Sequence, residues 1–314
     1  MMISRSSYIS FASVAAAVVI FCAAAPSASA QQVFQSPDEA AAALAAAVKS
    51  GEQKDMLKVF GPDGEDIISS GDEVSDASYR EKFTTAYDAK HAITMEGDKK
   101  AILMLGPKDY PFPVPLVQGK TDGKTGWEFD TKAGRQEVLF RRIGHNELDA
   151  IQTALAYVDA QNEYADKDRG AGPGVYAQKI VSTPGHKDGL YWPSDGDQSP
   201  FGELAAEASA EGYKVGGGPQ PYHGYFYRIL TRQGPHAPGG ELDYVVNGKM
   251  IGGFGLVAYP AEYGNSGVMT FLVNHAGTVY QKNLGPNTEE LAKRITSFDP
   301  DKSWTKVSVD SPEQ

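Results

Sequence analysis

The sequence predicts an α+β protein in two consecutive parts: N-terminal helices with an antiparallel meander, then a long spine helix with an antiparallel sheet. Three observations carry this reading. Apolar residues recur at helical spacing within 37–48, 76–87 and 146–164. Short strand-like runs separated by Gly, Asp and Pro fill 91–129 and 224–282. In each part the helices precede the strands instead of alternating with them, as in an α+β arrangement and unlike a wound parallel sheet.

The chain begins with a segment that stands apart from this fold. Arg5 leads into an apolar run from Ile9 to Ala25, and Ala28-Ser29-Ala30 puts small residues at the positions a signal peptidase reads before Gln31. Residues 1–30 are therefore expected to be a secretory signal peptide, and the mature chain periplasmic or secreted. A retained anchor fits less well, because Ser10 and Ser13 interrupt the run and no basic residues follow it. Phe21 precedes Cys22 where a lipoprotein signal needs a small residue. Cleavage leaves 314 − 30 = 284 residues and removes Cys22, the only cysteine, so the mature chain has no disulfide, thiolate metal site or cysteine nucleophile. No other long apolar run follows, so no membrane span is expected after signal removal. The net charge of −11 becomes −12 without Arg5, and its even spread disfavours nucleic acid as a partner.

The first part is expected over 31–145. Ser36 can cap a helix, Pro37 suits its first turn, and Glu39 completes a capping-box pattern. The alanine-rich helix should end near Gly51, and Gly61-Pro62-Asp63-Gly64 reads as a turn. Asp76 to Tyr87 predicts a second helix, with Tyr79, Phe83 and Tyr87 on one face as core. Strands are expected at His91–Met95, Ala101–Leu105, Phe112–Val117 and Gly126–Phe129. The alternating Pro111, Pro113 and Pro115 place their segment at a sheet edge. This element order resembles the NTF2-like and cystatin-like class.

The second part is expected over 146–314. Leu148, Ile151, Leu155 and Val158 make Asn146 to Tyr164 an amphipathic spine helix. Strand-like runs follow at 224–231, 250–259, 268–274 and 278–282, with His275-Ala276-Gly277 as hairpin chemistry between the last two. Asn146-Glu147-Leu148-Asp149-Ala150-Ile151 and Gly267 to Gly285 together resemble the globular part of pilin-like proteins. The chain lacks their hydrophobic N-terminal half-helix, so the resemblance does not extend to filament assembly.

Five blocks spread over the mature chain carry a more specific likeness. They are Phe60-Gly61-Pro62-Asp63-Gly64-Glu65-Asp66, Arg141-Arg142-Ile143-Gly144, Gly189-Leu190-Tyr191-Trp192-Pro193, Gly234-Pro235-His236-Ala237-Pro238-Gly239-Gly240 and Tyr259-Pro260-Ala261-Glu262-Tyr263-Gly264. Their order, from about Phe34 to about Val307, resembles the bacterial domain-of-unknown-function family 2950. The resemblance implies an exported envelope protein and brings no activity, cofactor or catalytic residue with it.

Chemistry-bearing motifs are sparse. The histidines at 91, 145, 186, 223, 236 and 275 show no metal-binding spacing. Asp166-Lys167-Asp168-Arg169-Gly170 resembles a calcium loop through Asp166 and Asp168, but glycine occupies the third oxygen position. Gly264-Asn265-Ser266-Gly267 has the wrong spacing for a nucleophile elbow. No P-loop or dinucleotide fingerprint occurs, and no cofactor is implied. The candidate binding residues are Tyr191, Trp192, Tyr222, His223, His236 and Tyr263, each in a Gly/Pro-rich loop of the second part. The expected function is a non-catalytic envelope protein that uses these loops to bind a peptide, a glycan or a partner protein. The alternative is a periplasmic cell-wall hydrolase with carboxylate or histidine chemistry. His223 and His236 converging with two acidic groups in one cleft would favour the enzyme.

Overall fold

The computed structural model describes residues 31–121, 124–194 and 196–308; the signal-like segment and Cys22 lie outside them. The first part carries helices α1 (Pro37–Ser50), α2 (Gln53–Phe60), α3 (Glu65–Ile68) and α4 (Glu73–Ala89). Strands β1 (His91–Met95), β2 (Lys100–Leu105), β3 (Tyr110–Pro111), β4 (Leu116–Thr121) and β5 (Lys124–Phe129) follow. Helix α5 (Thr131–Ala165) leads into α6 (Gly202–Glu211) and β6 (Tyr225–Leu230). Four two-residue strands come next, β7 (Arg232–Gln233), β8 (Leu242–Asp243), β9 (Val245–Val246) and β10 (Lys249–Met250). The chain then forms β11 (Gly255–Pro260), β12 (Met269–Asn274), β13 (Tyr280–Asn283), α7 (Thr288–Arg294) and β14 (Thr305–Lys306). Helices and antiparallel sheets in this order make the protein α+β. Among the described residues no helix is long and apolar enough to cross a membrane.

Local chemistry sets the first part. Ser36 Oγ accepts from the Glu39 amide at 3.1 Å, and Glu39 reaches back to the Gln35 amide at 2.8 Å, one residue earlier than a standard capping box. Gly51, at φ 69°, closes α1. The sheet runs β1-β2-β4-β5, and among the described residues β3 pairs with β2 alone, so the Pro111 segment does lie at a sheet edge. Leu44, Phe60, Leu103, Leu116 and Phe129 fill the core between these helices and the sheet. The α4 stripe behaves unevenly: Tyr87 is buried, whereas Tyr79 remains 40% exposed.

Helix α5 is longer than its periodicity predicts. It begins at Thr131, where Asp130 Oδ1 accepts from the Ala133 amide at 3.0 Å, and it runs unbroken through the 145/146 boundary. The extra turns hold Gly134 and Gly144, poor helix formers that hide the pattern. Gly134 has a packing reason: a Cβ there would sit 2.6 Å from Val114 Cα. The first half of α5 supplies Val138 to the first core, and the second half supplies Ala150, Ala154, Tyr157 and Val158 to the second.

The second sheet, β14-β13-β12-β11-β6, is covered on both faces. Along β11, Leu256 and Ala258 face the core under α5, while Val257 and Tyr259 face the core under α7. The same alternation places Phe271 and Val273 of β12 on one side and Leu272 on the other. Gly277, at φ 71°, makes the expected turn between β12 and β13. Under α5, buried Gln161 closes both hydrogen bonds to the Ala177 backbone, at 2.9 and 2.8 Å, which ties the loop after α5 to the helix.

A polar seam joins the two cores. Asp72 caps α4 through Oδ1 and the Ser75 amide at 3.1 Å. Its Oδ2 accepts from the Tyr213 hydroxyl at 2.8 Å and the Gly224 amide at 3.0 Å. Arg142 of α5 is buried, donating to the carbonyls of Asp66 at 2.8 Å and Ile67 at 3.1 Å and to Asn265 Oδ1. Asn146 donates to the Ser266 carbonyl at 2.9 Å, and Glu147 accepts from the Val268 and Met269 amides, both at 3.0 Å. The seam therefore satisfies polar groups that would otherwise be stranded between two apolar cores.

Candidate functional site

The turn before β6 organises the candidate site. Tyr222 and Tyr225 exchange backbone hydrogen bonds at 2.8 and 3.1 Å, and the two residues between them, His223 and Gly224, both take positive φ, 49° and 73°. That is the primed turn that suits a tight hairpin, and glycine is needed because a Cβ on Gly224 would meet Asn146 Nδ2 at 2.5 Å. The turn throws the His223 ring between two helices. Its Nδ1 lies 2.9 Å from Asp149 Oδ2 of α5 and its Nε2 3.0 Å from Glu211 Oε2 of α6. Burial pulls the imidazole pKa down, but the Asp149 hydrogen bond and the charges of Asp149 and Glu211 outweigh it, so the net shift is upward. His145 also reaches Asp149 Oδ2, at 3.3 Å. Both ring nitrogens of His223 point at carboxylates, so the group is a cationic clamp between helices with no lone pair free for proton abstraction.

Beside this clamp opens an apolar cleft of about 730 Å³, a volume ordinary for a small-ligand site. Tyr191, Tyr222, Tyr227 and Tyr259 line it together with Phe201 and Leu204, and its charged lining residues are Lys214, Arg228, Glu289 and Lys293. Tyr191 is held there by the pairing of its backbone with Ile180 and Ser182, at 2.8 Å each. Tyr222 stacks edge-on against Tyr213, with ring centroids 5.0 Å apart. The cleft follows β6, the last strand of its sheet, which pairs with β11 and with no other strand among the described residues. The register and the bond from the Ala261 amide to the Gly224 carbonyl place Phe226, Arg228 and Leu230 in the hydrogen-bonded pairs. The backbone groups of Tyr227 and Ile229 therefore point to the open side.

The six sequence candidates are not one group. Tyr191 and Tyr222 line the cleft, and His223 stands directly behind Tyr222, with centroids 4.2 Å apart. Trp192 is 4% exposed, donates from Nε1 to the Asp197 carbonyl at 3.0 Å and carries the Arg169 guanidinium 4.6 Å above its ring, so it belongs to the core. His236 is exposed and pinned by Asp299, which accepts from its amide at 2.7 Å and meets Nδ1 at 3.0 Å; that hydrogen bond raises the imidazole pKa. Tyr263 closes the turn to Gly267 beside the seam. Neither His236 nor Tyr263 lines the cleft, so only His223 of the two histidines meets acidic partners next to it. Asp168 spends Oδ1 on the Gly170 and Gly172 amides, both at 2.8 Å, while Asp166 ends α5. Among the described residues no group of three or more His, Cys, Asp or Glu side chains is placed to hold a metal ion.

Asp72, Asp149, Glu211 and Tyr213 were missed by sequence reasoning. Their roles come from contacts between distant segments, and only the helix position of Asp149, one turn from Asn146, was visible beforehand.

The family described as "Protein of unknown function (DUF2950)" matches residues 31–307. The chain belongs to this family. No curated protein and no solved structure matches it. In this DUF2950 member, blocks far apart in sequence meet at the seam: the Asp66 carbonyl accepts from Arg142, and Glu262 accepts from Asn265 at 2.7 Å, which in turn donates to the Ser69 carbonyl at 3.1 Å. The Gly189–Pro193 block supplies both Tyr191 of the cleft and Trp192 of the core beside it.

Proposed function

We infer that this DUF2950 protein is an exported, non-catalytic binding protein that takes an extended peptide segment along β6. The observation that carries this is an aromatic cleft running beside a strand edge that pairs with no further strand among the described residues. A strand added there would bond to the free backbone groups of Tyr227 and Ile229, and its alternate side chains would enter the cleft. Tyrosines suit the role, since they offer large rigid faces with a polar tip. Export rests on the signal-like pattern ending at Ala30. The likeness of the two parts to NTF2-like or cystatin-like and pilin-like domains is one of element order and adds no ligand. The hydrolase alternative is weaker, because the one histidine beside the cleft has both nitrogens committed to carboxylates.

Phage-displayed random peptides selected on the mature chain test the reading. Enrichment of peptides with alternating apolar residues is expected, with loss of binding when alternate peptide amides are N-methylated. Tyr191→Ala and Tyr222→Ala should abolish capture while leaving far-UV circular dichroism unchanged. Equal capture by folded variants would refute it, as would indifference to N-methylation.

A further inference from the structure

A second cleft lies in the first part, far from β6 in sequence and built differently. It encloses about 910 Å³ between α4, the β2–β3 region and the first half of α5. Its floor reaches the core at Leu44, Met56 and Phe60, and Phe83 and Phe112 form its walls. Here the uneven α4 stripe finds its explanation: Tyr79 and Phe83, expected as core, line an open wall.

The rim has the opposite sign to the molecule. Five Lys or Arg residues line the cleft (Arg80, Lys82, Lys108, Arg141 and Arg142) against one acidic residue, Asp76, a local excess of 5 − 1 = 4 positive charges in a chain of net charge −11. Arg142 is committed to backbone carbonyls, and Arg141 pairs with Glu137 at 2.7 Å. Among the described residues Arg80, Lys82 and Lys108 form no ion pair with a carboxylate, and Lys82 instead lies 5.5 Å above the Tyr79 ring. Asp76, the one acid, is turned inward to the Ser70 amide at 3.0 Å, and burial raises its pKa.

We propose that this cleft binds an anionic amphiphile, an acyl chain with a carboxylate or phosphate head, with the chain against Phe83 and Phe112 and the head among Arg80, Lys82 and Lys108. Apolar walls alone would accept any hydrophobe; Arg80, Lys82 and Lys108, which form no ion pair among the described residues, select the negative head. Each methylene buried should tighten binding by up to about fourfold, and the head-group contribution should weaken as salt screens it.

The test uses the mature chain and displacement of a fluorescent dansyl fatty acid. Palmitate and palmitoyl lysophosphatidylglycerol serve as the two head-group arms, and laurate, hexadecyltrimethylammonium and inorganic phosphate as controls. Displacement by palmitate or the lysophospholipid, weaker by laurate and absent for phosphate, is expected; which of the two is tighter names the head. The triple variant Arg80→Gln, Lys82→Gln, Lys108→Gln alters exposed or half-exposed side chains and should weaken palmitate at least tenfold without weakening the cationic amphiphile. No displacement by either anionic amphiphile overturns the proposal. So does undiminished palmitate binding by the triple variant, or displacement by phosphate alone. Tyr222→Ala should leave palmitate binding unchanged, so failure here is separate from failure of the peptide reading at β6.

Discussion

Replacing Asp72 with alanine tests how the two halves are joined. Three hydrogen bonds end on this carboxylate, from the Ser75 amide, the Tyr213 hydroxyl and the Gly224 amide, and Asp72 is only 2% exposed. Loss of an N-cap costs about 1 kcal/mol. Each buried donor left without a partner costs about 1–3 kcal/mol more. The Gly224 amide and the Tyr213 hydroxyl both become such donors, so Asp72→Ala should destabilise by about 3–7 kcal/mol in all. Asp72→Asn keeps the cap, since asparagine caps as well as aspartate, and should cost less. Tyr213→Phe should cost about 1–3 kcal/mol in the parent, where it also strands the His223 amide that donates to the hydroxyl at 3.2 Å, and should cost less when added to Asp72→Ala, where it removes a hydroxyl already without its acceptor. Urea unfolding followed by circular dichroism and tyrosine fluorescence reads all five proteins, the parent and the four variants. An Asp72→Ala variant within about 1 kcal/mol of the parent would show that the seam carries little of the stability, and the reasoning would fail.

Two further outcomes follow from particular contacts. His223 has a folded-state pKa raised above its ordinary 6.5, so its clamp contributes fully below pH 6.5 and is lost as pH rises through the raised value. The stability gap between the parent and His223→Gln, measured by urea midpoint, should therefore shrink from pH 6 to pH 9; the backbone cost of the positive φ is common to both pH values and cancels, and a gap that widens would contradict the clamp. Gly134→Ala gains about 1 kcal/mol of helix propensity but drives a methyl to within 2.6 Å of Val114 Cα, and overpacking of that kind costs about 1–3 kcal/mol. Thermal melts should show a net loss, and a stabilised variant would mean that α5 can move away from the sheet.

Much of the fold was legible because its signals are local. Ser36, Gly51 and Gly277 each act within a few residues, and strands such as His91–Met95 fall where their alternation places them. The start of α5 was hidden because Gly134 and Gly144 both lower helix propensity, Gly134 in return for close packing against Val114 and Gly144 with nothing within 4 Å of its missing Cβ. The site was half visible. Tyr191 and Tyr222 share a cleft, but nothing local distinguishes them from Trp192, whose neighbours Arg169 and Asp197 turn it into a packed side chain. Tyr79 shows the converse, since helical spacing names a face without saying whether anything covers it.

The most direct measurement of the central claim is amide hydrogen exchange of the chain from Gln31 onward, with and without a peptide enriched by selection. Strand addition at β6 predicts slowed exchange at Tyr227 and Ile229, with the β11–β12 amides already protected and little changed. Protection elsewhere with Tyr227 and Ile229 unaltered would contradict it.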